Sequence, residues 1–505
     1  MLSLIKSLGL AGIRGYLVAV ECDLANGLPN FEVVGLPDAV VREARVRVRS
    51  ACKNCGFDFP LRRITVNLAP ADKKKEGAVY DLPILLGLLA ASGQLMPITD
   101  DCAFIGELSL DGAVRRANGV LSMALAAKNA GITSLIVPDE NAREASLVPG
   151  LTVYGVKHVS DVVAHLRGEL ILSPCPPWRP DARTQYSVDF SDVKGQENVK
   201  RALEIAAVGG HNILLIGPPG AGKSMLARRI PTILPDMTYD ESIETTEIHS
   251  VCGLTGRDEP FVTQRPFRSP HHTISSAGLA GGGSNPRPGE ISLSHNGVLF
   301  LDEFPEFSRE AIEALRQPLE DGEILVSRVA GSYTFPASFM LVCAMNPCKC
   351  GWHGHSSGRC TCTGSMVSKY IGQISGPMMD RIDMHVEVPA VRYDDLTERA
   401  AGEASSVIRE RVNVGRAVQT RRFEGTPVKC NARMTAAMLG KFCALDEAAD
   451  ALLHAAFDKF GMTGRSHAKV LRIARTIADM SGCENIGAPH IAEAIQFRTL
   501  DRGEV

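Results

Sequence analysis

Apolar residues follow three successive patterns along this chain. In the first, short strand-like runs alternate with helical ones. Ile64–Leu68 puts an apolar side chain at every second position, as a half-buried strand does, and Ser134–Val137 is a compact apolar run. Leu82–Ala91 and Gly119–Ala130 have the length and small-residue content of helices. The second pattern begins near Asp189. Its runs Ile213–Ile216, Val298–Leu301 and Phe339–Ala344 are apolar throughout, as strands covered on both faces of a parallel sheet must be. From about Tyr393 the spacing becomes helical to the end, as in Glu447–Phe460 and His467–Met480. Between the first two patterns lies Ser173–Gln185, with four prolines that neither donate backbone hydrogen bonds nor continue a helix. The expected organisation is an α/β domain over 1–172, a proline-rich linker over 173–188, a parallel-sheet α/β domain over 189–395 and a helical domain over 396–505.

Composition narrows the class. A chain of 505 residues exceeds what one core supports, and 45% hydrophobic with 22% charged residues is ordinary for a soluble protein. The longest uncharged apolar run, near Leu82–Ala91, is about half of what spans a bilayer. The N-terminus lacks a sustained apolar core and a cleavage site, so we expect a cytoplasmic protein without membrane partners. A net charge of −3 gives no global polyanion-binding signature, and any nucleic-acid contact must come from local patches. The 14 cysteines are scattered, which fits reduced thiols with one metal site.

The chemistry concentrates after Ile213–Ile216. Gly217, Pro218, Pro219, Gly220, Ala221, Gly222, Lys223 and Ser224 fit G-x-x-x-x-G-K-[ST] between a strand and a helix. Glycines let backbone N–H groups close around phosphates at a helix N-terminus, whose dipole favours anions. Lys223 is expected to reach the β- and γ-phosphates of ATP, and Ser224 to place its hydroxyl on Mg²⁺. Val298–Leu301 runs into Asp302 and Glu303. The first suits the Mg²⁺ shell and the second suits polarising an attacking water. The third strand ends at Asn346, whose amide can orient that water or merely cap a turn.

Together these pieces resemble AAA+ ATPases. The resemblance implies that Arg381, in DRID, reaches the neighbouring subunit's nucleotide; the alternative is an ion pair with Asp380 or Asp383. GRSHAKVLRIARTIADM resembles a lid helix carrying a sensor arginine, best matched by Arg465, with Arg472 and Arg475 further along. FRSPHHTIS, PGEISLSHNGVLFLDE and the helix-plus-hairpin RQPLEDGEILVSRVAGSYTFPASF resemble the magnesium-chelatase-like branch. The order of domains, and NGLPNFEVVGLPDAVVREARVRVRSACKNCGFDFP, is similar to the bacterial YifB/ComM family over essentially the whole chain. That family implies a hexameric, ATP-dependent DNA motor acting on single-stranded, forked or branched DNA, linked to branch migration during natural transformation. The alternatives are a metal-chelatase motor subunit or another AAA+ remodeller. KKKEGAVYDLPILLGLLAASG and GVLSMALAAKNAGITSLIVPDEN resemble the proteolytic domain of Lon, but the serine and lysine positions of its dyad fall on Val79 and Met123. The N-terminal domain is then a non-proteolytic scaffold or DNA-contacting collar.

Cys348, Cys350, Cys360 and Cys362 form C-x-C-x9-C-x-C across a glycine-containing loop and can supply four thiolates to Zn²⁺. His353 and His355 compete as ligands, and free thiols are the alternative. Cys52 and Cys55, by contrast, read as buried residues of an amphipathic helix. Lys73–Lys75 and the cluster of Arg421, Arg422 and Lys429 are solvated charges or, in a ring, phosphate contacts. Only 5% of residues are aromatic, which argues against base-stacking platforms.

Overall fold

A computed structural model describes residues 2–178, 186–283, 286–328, 331–355, 357–390 and 402–498. Residues 179–185 of the expected linker, and the expected boundary at 395, lie outside the described residues. The chain forms two compact units, one of residues 1–182 with 239–263 and one of 183–238 with 264–505.

The first unit is built on strands β1 (Leu2–Ala11), β2 (Arg14–Ala25), β3 (Asn30–Val34), β4 (Arg63–Ala69), β5 (Cys102–Phe104), β6 (Ser134–Pro138) and β7 (Thr152–Val156). Their order across the sheet is β3-β4-β2-β1-β5-β6-β7, with β2 antiparallel to both neighbours and the other pairs parallel. Strand alternation sends Ile5 and Leu8 of β1 to two different core clusters. One holds helices α1 (Ala39–Asn54) and α2 (Asp81–Ala91), the other α3 (Val120–Asn129). Because α2 is apolar all round, it is buried along nearly its whole length. Cys52 is buried on α1, while Cys55 caps that helix half-exposed. Met123 lies in the second cluster and Val79 packs against it, so apolar contact replaces a serine–lysine pair there.

Residues 239–263 enter this unit from within the stretch between Lys223 and Asp302 that the sequence assigns wholly to the second domain. The inserted helix Tyr239–Val251 lies against α3, and Ile243 and Phe261 join that core. Buried Glu144 accepts hydrogen bonds from Ser250 of the inserted helix, from Asn141 and from the Leu121 amide. Tyr239 donates to the Leu147 carbonyl at 2.7 Å.

The second unit has a five-stranded parallel sheet: β8 (Ile213–Ile216), β9 (Phe267–Arg268), β10 (Val298–Leu301), β11 (Met340–Met345) and β12 (Met384–Glu387). The order is β9-β10-β11-β8-β12. The third strand begins one residue later than its apolar run suggests. Helix Arg316–Asp321 leads into a hairpin, Glu323–Arg328 with Gly331–Pro336, which stands apart from the sheet as the sequence predicts. Helix α4 (Glu197–Gly209) precedes β8, and α5 (Lys223–Arg229) follows it. The C-terminal helices α6 (Ser405–Arg422), α7 (Glu447–Phe460), α8 (Gly464–Met480) and α9 (Ala488–Gln496) share one continuous apolar core with α4 and the sheet. A buried polar network reinforces that core: Arg422 and Arg475 both bond Asp479, and Asn431 bonds Asp479 and Thr476. Arg422 is therefore a structural residue rather than a solvated or phosphate-binding charge. Lys75 is buried too, its ammonium spent on the Pro70 and Lys73 carbonyls.

Candidate functional site: a nucleotide pocket and an arginine cleft

The three central strands β10, β11 and β8 end side by side, because their parallel register pairs Ile216 with Met345 and Leu301 with Cys343. The residue after each strand is thereby brought to one edge: Gly217, Asp302 and Asn346. Gly217 has no room for a side chain, since a Cβ would stand 2.2 Å from the Val388 carbonyl oxygen. Gly222, at φ +85°, turns the loop into α5 in a conformation that favours glycine. The loop, Ser224, Asp302, Glu303 and Asn346 line a cavity of about 380 Å³. Every residue assigned to the phosphate cradle and its carboxylates borders this cavity or the turn leading into it.

Within it, Ser224 Oγ donates to Asp302 Oδ2 at 2.5 Å, placing hydroxyl and carboxylate on one spot. These are the oxygen donors that a hard divalent cation selects, so the residues fit Mg²⁺. Lys223 Nζ donates to the Gly217 and Pro218 carbonyls at 2.7 and 3.0 Å and to Asn346 Oδ1 at 3.1 Å. Burial lowers its pKa from the usual lysine value, with Asp302 opposing. A compensating anion is what such a desolvated ammonium calls for, and a phosphate chain supplies one. Glu303 adopts a left-handed backbone, φ 52°, rare outside glycine, and its carboxylate lies 3.2 Å from His272 Nδ1. His272 is a site residue that sequence reasoning did not single out; its signal was the HH of FRSPHHTIS, noted only as part of a motif.

The two expected arginines lie elsewhere. Arg381 and Arg465 line a separate cleft of about 440 Å³, with Arg433, Lys469 and Arg472. Asn212, immediately before β8, donates to the Arg381 carbonyl at 3.0 Å, whereas the phosphate loop follows β8. The arginines therefore sit at the opposite end of that strand from the cradle. Arg381 does not pair with Asp380 or Asp383; it bonds the carboxylate of Glu320 and the carbonyls of Pro377 and Arg316. Asp380 instead meets Arg465 at 3.2 Å. Arg472 is tied to the Met434 carbonyl and Arg475 is buried in the lid, which leaves Arg465 the most exposed of the three.

Directly after Asn346, the sulfurs of Cys348, Cys350, Cys360 and Cys362 lie within 4.8 Å of one another. Tetrahedral zinc at a Zn–S distance of about 2.3 Å needs sulfurs about 3.8 Å apart, so the set fits that ion. His353 Nδ1 is 3.9 Å from Cys360 Sγ, outside the four-thiol set. The cysteine loop is packed on the phosphate loop: a Cβ on Gly351 would stand 2.6 Å from Pro219 Cδ.

This P-loop, acidic strand end and strand order define a magnesium-chelatase-like AAA+ protein, and comparison with known families agrees. Residues 189–396 match the family described as magnesium chelatase, subunit ChlI; residues 402–498 match its C-terminal family; and residues 20–141 match that described as subunit ChlI of Mg-chelatase. The competence protein ComM of Haemophilus influenzae is 42% identical over 99% of this chain and 98% of its own length. YifB of Escherichia coli K12 is also 42% identical, over 99% and 98%. A Lon protease of Rhizobium meliloti is 28% identical over 36% of this chain and 24% of its own. The chain belongs to the YifB/ComM family. Among the described residues, no helix is long and apolar enough to cross a membrane.

Proposed function

We propose that this protein is an ATP-hydrolysing motor that assembles as a homo-hexamer and moves single-stranded, forked or branched DNA. The observation that carries the reading is the separation of the cradle from the arginine cleft. A nucleotide held by Lys223 and Ser224 has neither Arg381 nor Arg465 of its own chain in its cavity. Transferring a phosphoryl group spreads charge over oxygens that such arginines stabilise. A ring meets that need by heterologous contact, each subunit presenting its arginine cleft to the next subunit's cradle. A bound Mg²⁺ would supply positive charge to the phosphates. Asp302 and Ser224 would hold that ion, Lys223 would turn from Asn346 to the phosphates, Asn346 would orient the attacking water, and Glu303 would accept its proton. The four cysteines hold a structural zinc that fixes the chain beyond Asn346.

DNA as the moved polymer rests on similarity to a protein named for competence, and we extend this to branch migration during natural transformation. The test is which polymer stimulates ATP turnover. Stimulation by forked or single-stranded DNA is expected. Stimulation only by a porphyrin-metallating partner, or only by unfolded protein, would replace this reading with a chelatase motor or a remodeller.

A further inference from the structure

We propose that a groove in the N-terminal unit, between α1 and the β3 edge of the sheet, binds single-stranded DNA. The inference rests on the reading of the protein as a DNA motor and assigns a contact surface outside the ATPase.

The amphipathic α1 buries Val41, Ala44 and Val48 and so leaves Arg42, Arg45, Val46 and Arg49 outside. Arg47 alone among its arginines is turned inward, held by the buried Asp81 at 2.6 and 3.0 Å. The groove beside this face has a volume of about 370 Å³ and three cations in its lining, Arg45, Arg49 and Arg62, with no carboxylate among the described residues. Of the acids nearby, Glu43 lies 3.8 Å from Arg47 and Glu32 lies 4.0 Å from Arg63, while Asp58 is exposed beside Phe59. Such a lining is complementary to a polyanion.

The apolar part of the lining selects which polyanion. Phe31 and Phe59 stand in the groove with ring centroids 6.3 Å apart, and the Arg49 guanidinium lies 5.6 Å from the Phe59 centroid. Beside them Leu61 is 74% exposed and Val46 57%. The low aromatic content argues against stacking platforms, yet the fold gathers two phenylalanines where arginines cluster. Unpaired bases stack on rings and guanidinium planes, while a duplex keeps its base faces internal. β3 pairs only with β4 among the described residues, so the groove lies along an open sheet edge. A two-fold contact with a second copy is disfavoured here, because it would set these arginines against each other.

The test uses full-length protein, fluorescence anisotropy of labelled oligothymidylate and a series of salt concentrations. Replacing Arg45, Arg49 and Arg62 with Gln should lower the log–log salt slope by about 2, roughly 0.7 per lost cation. Phe31→Leu keeps an apolar side chain against the core but removes the ring. It should weaken binding about tenfold while leaving the slope unchanged. Both variants should keep parental DNA-free ATP turnover and assembly state. If the parent binds oligothymidylate and the variants bind it equally with the parental slope, the groove is not the site, though the motor reading stands. If the parent binds no DNA and DNA does not stimulate turnover, both fall. Loss of assembly in the variants, with unchanged DNA affinity per assembled particle, would make the groove a subunit contact and overturn the proposal.

Discussion

Nδ1 of His272 stands 3.2 Å from Oε2 of Glu303, so an imidazole from the loop before β10 fixes the carboxylate at the end of that strand. The contact assigns the two residues different roles. Glu303→Gln should bind nucleotide normally and stall its hydrolysis. His272→Ala leaves the carboxylate present but free to rotate, and should lower kcat about tenfold with little change in nucleotide affinity. Steady-state turnover alongside fluorescent-nucleotide binding separates the two; equal loss of binding in both would show that Glu303 is not the residue acting on water.

Lys223→Ala should abolish ATP turnover while the thermal unfolding curve stays near the parental one. The ammonium bonds two loop carbonyls and Asn346 at the cavity wall, and among the described residues no other cation lines that cavity. Near-parental turnover in the purified variant would place the reaction elsewhere.

Arg381→Ala and Arg465→Ala should each be inactive alone, in keeping with a contribution of about 10³ or more from a transition-state arginine. Mixing Arg381→Ala with Lys223→Ala should restore part of the activity, because some interfaces then combine an intact cradle with an intact arginine. ATPase assays across mixing ratios, with assembly followed by light scattering, check this. No recovery from mixed rings would reduce Arg381 to the structural partner of Glu320.

Protein purified without chelators should carry about one zinc per chain by elemental analysis, and Cys348→Ser with Cys360→Ser should carry none. Because Gly351 abuts Pro219, stripping the metal should weaken nucleotide binding as well as lower Tm. A metal-free protein with parental Tm and nucleotide affinity would exclude a structural zinc.

Acid should destabilise the second unit through His211. This side chain is fully buried, bonds Thr476 of α8 at 2.8 Å, and burial lowers its pKa to about 4. Folded, it binds fewer protons than the unfolded chain, whose histidine titrates near 6.5. Its contribution is thus fully present above about 6.5 and is lost as pH falls towards 4, by about 3 kcal/mol at most. Urea midpoints at pH 7.5 and 4.5 should differ less in His211→Gln than in the parent.

The phosphate cradle and its carboxylates were legible because each lies within a few residues of an apolar strand, so local sequence fixes local geometry. Cys348–Cys362 was legible from the spacing of its two cysteine pairs. His272 was not, since thirty residues separate it from Glu303 and only the folded loop brings them together. The fate of Arg422 and Lys75 was equally hidden: a charge run looks solvated until distant partners, Asp479 or the Pro70 carbonyl, are known. Arg381 shows a mixed case, in which the sequence singles out the residue but not Glu320 as its partner.

The excursion of residues 239–263 into the N-terminal unit also bears on how the protein is born. A ribosome delivers the first 182 residues long before Phe261, Ser250 and Tyr239, yet those later residues complete the core and polar contacts around α3. The leading 182 residues therefore leave the exit tunnel with an uncovered apolar face and wait for a segment encoded beyond the phosphate loop. Their maturation is tied to synthesis of the second unit's first strand, and a nascent chain arrested before residue 263 is a natural client for chaperones that hold exposed apolar surface.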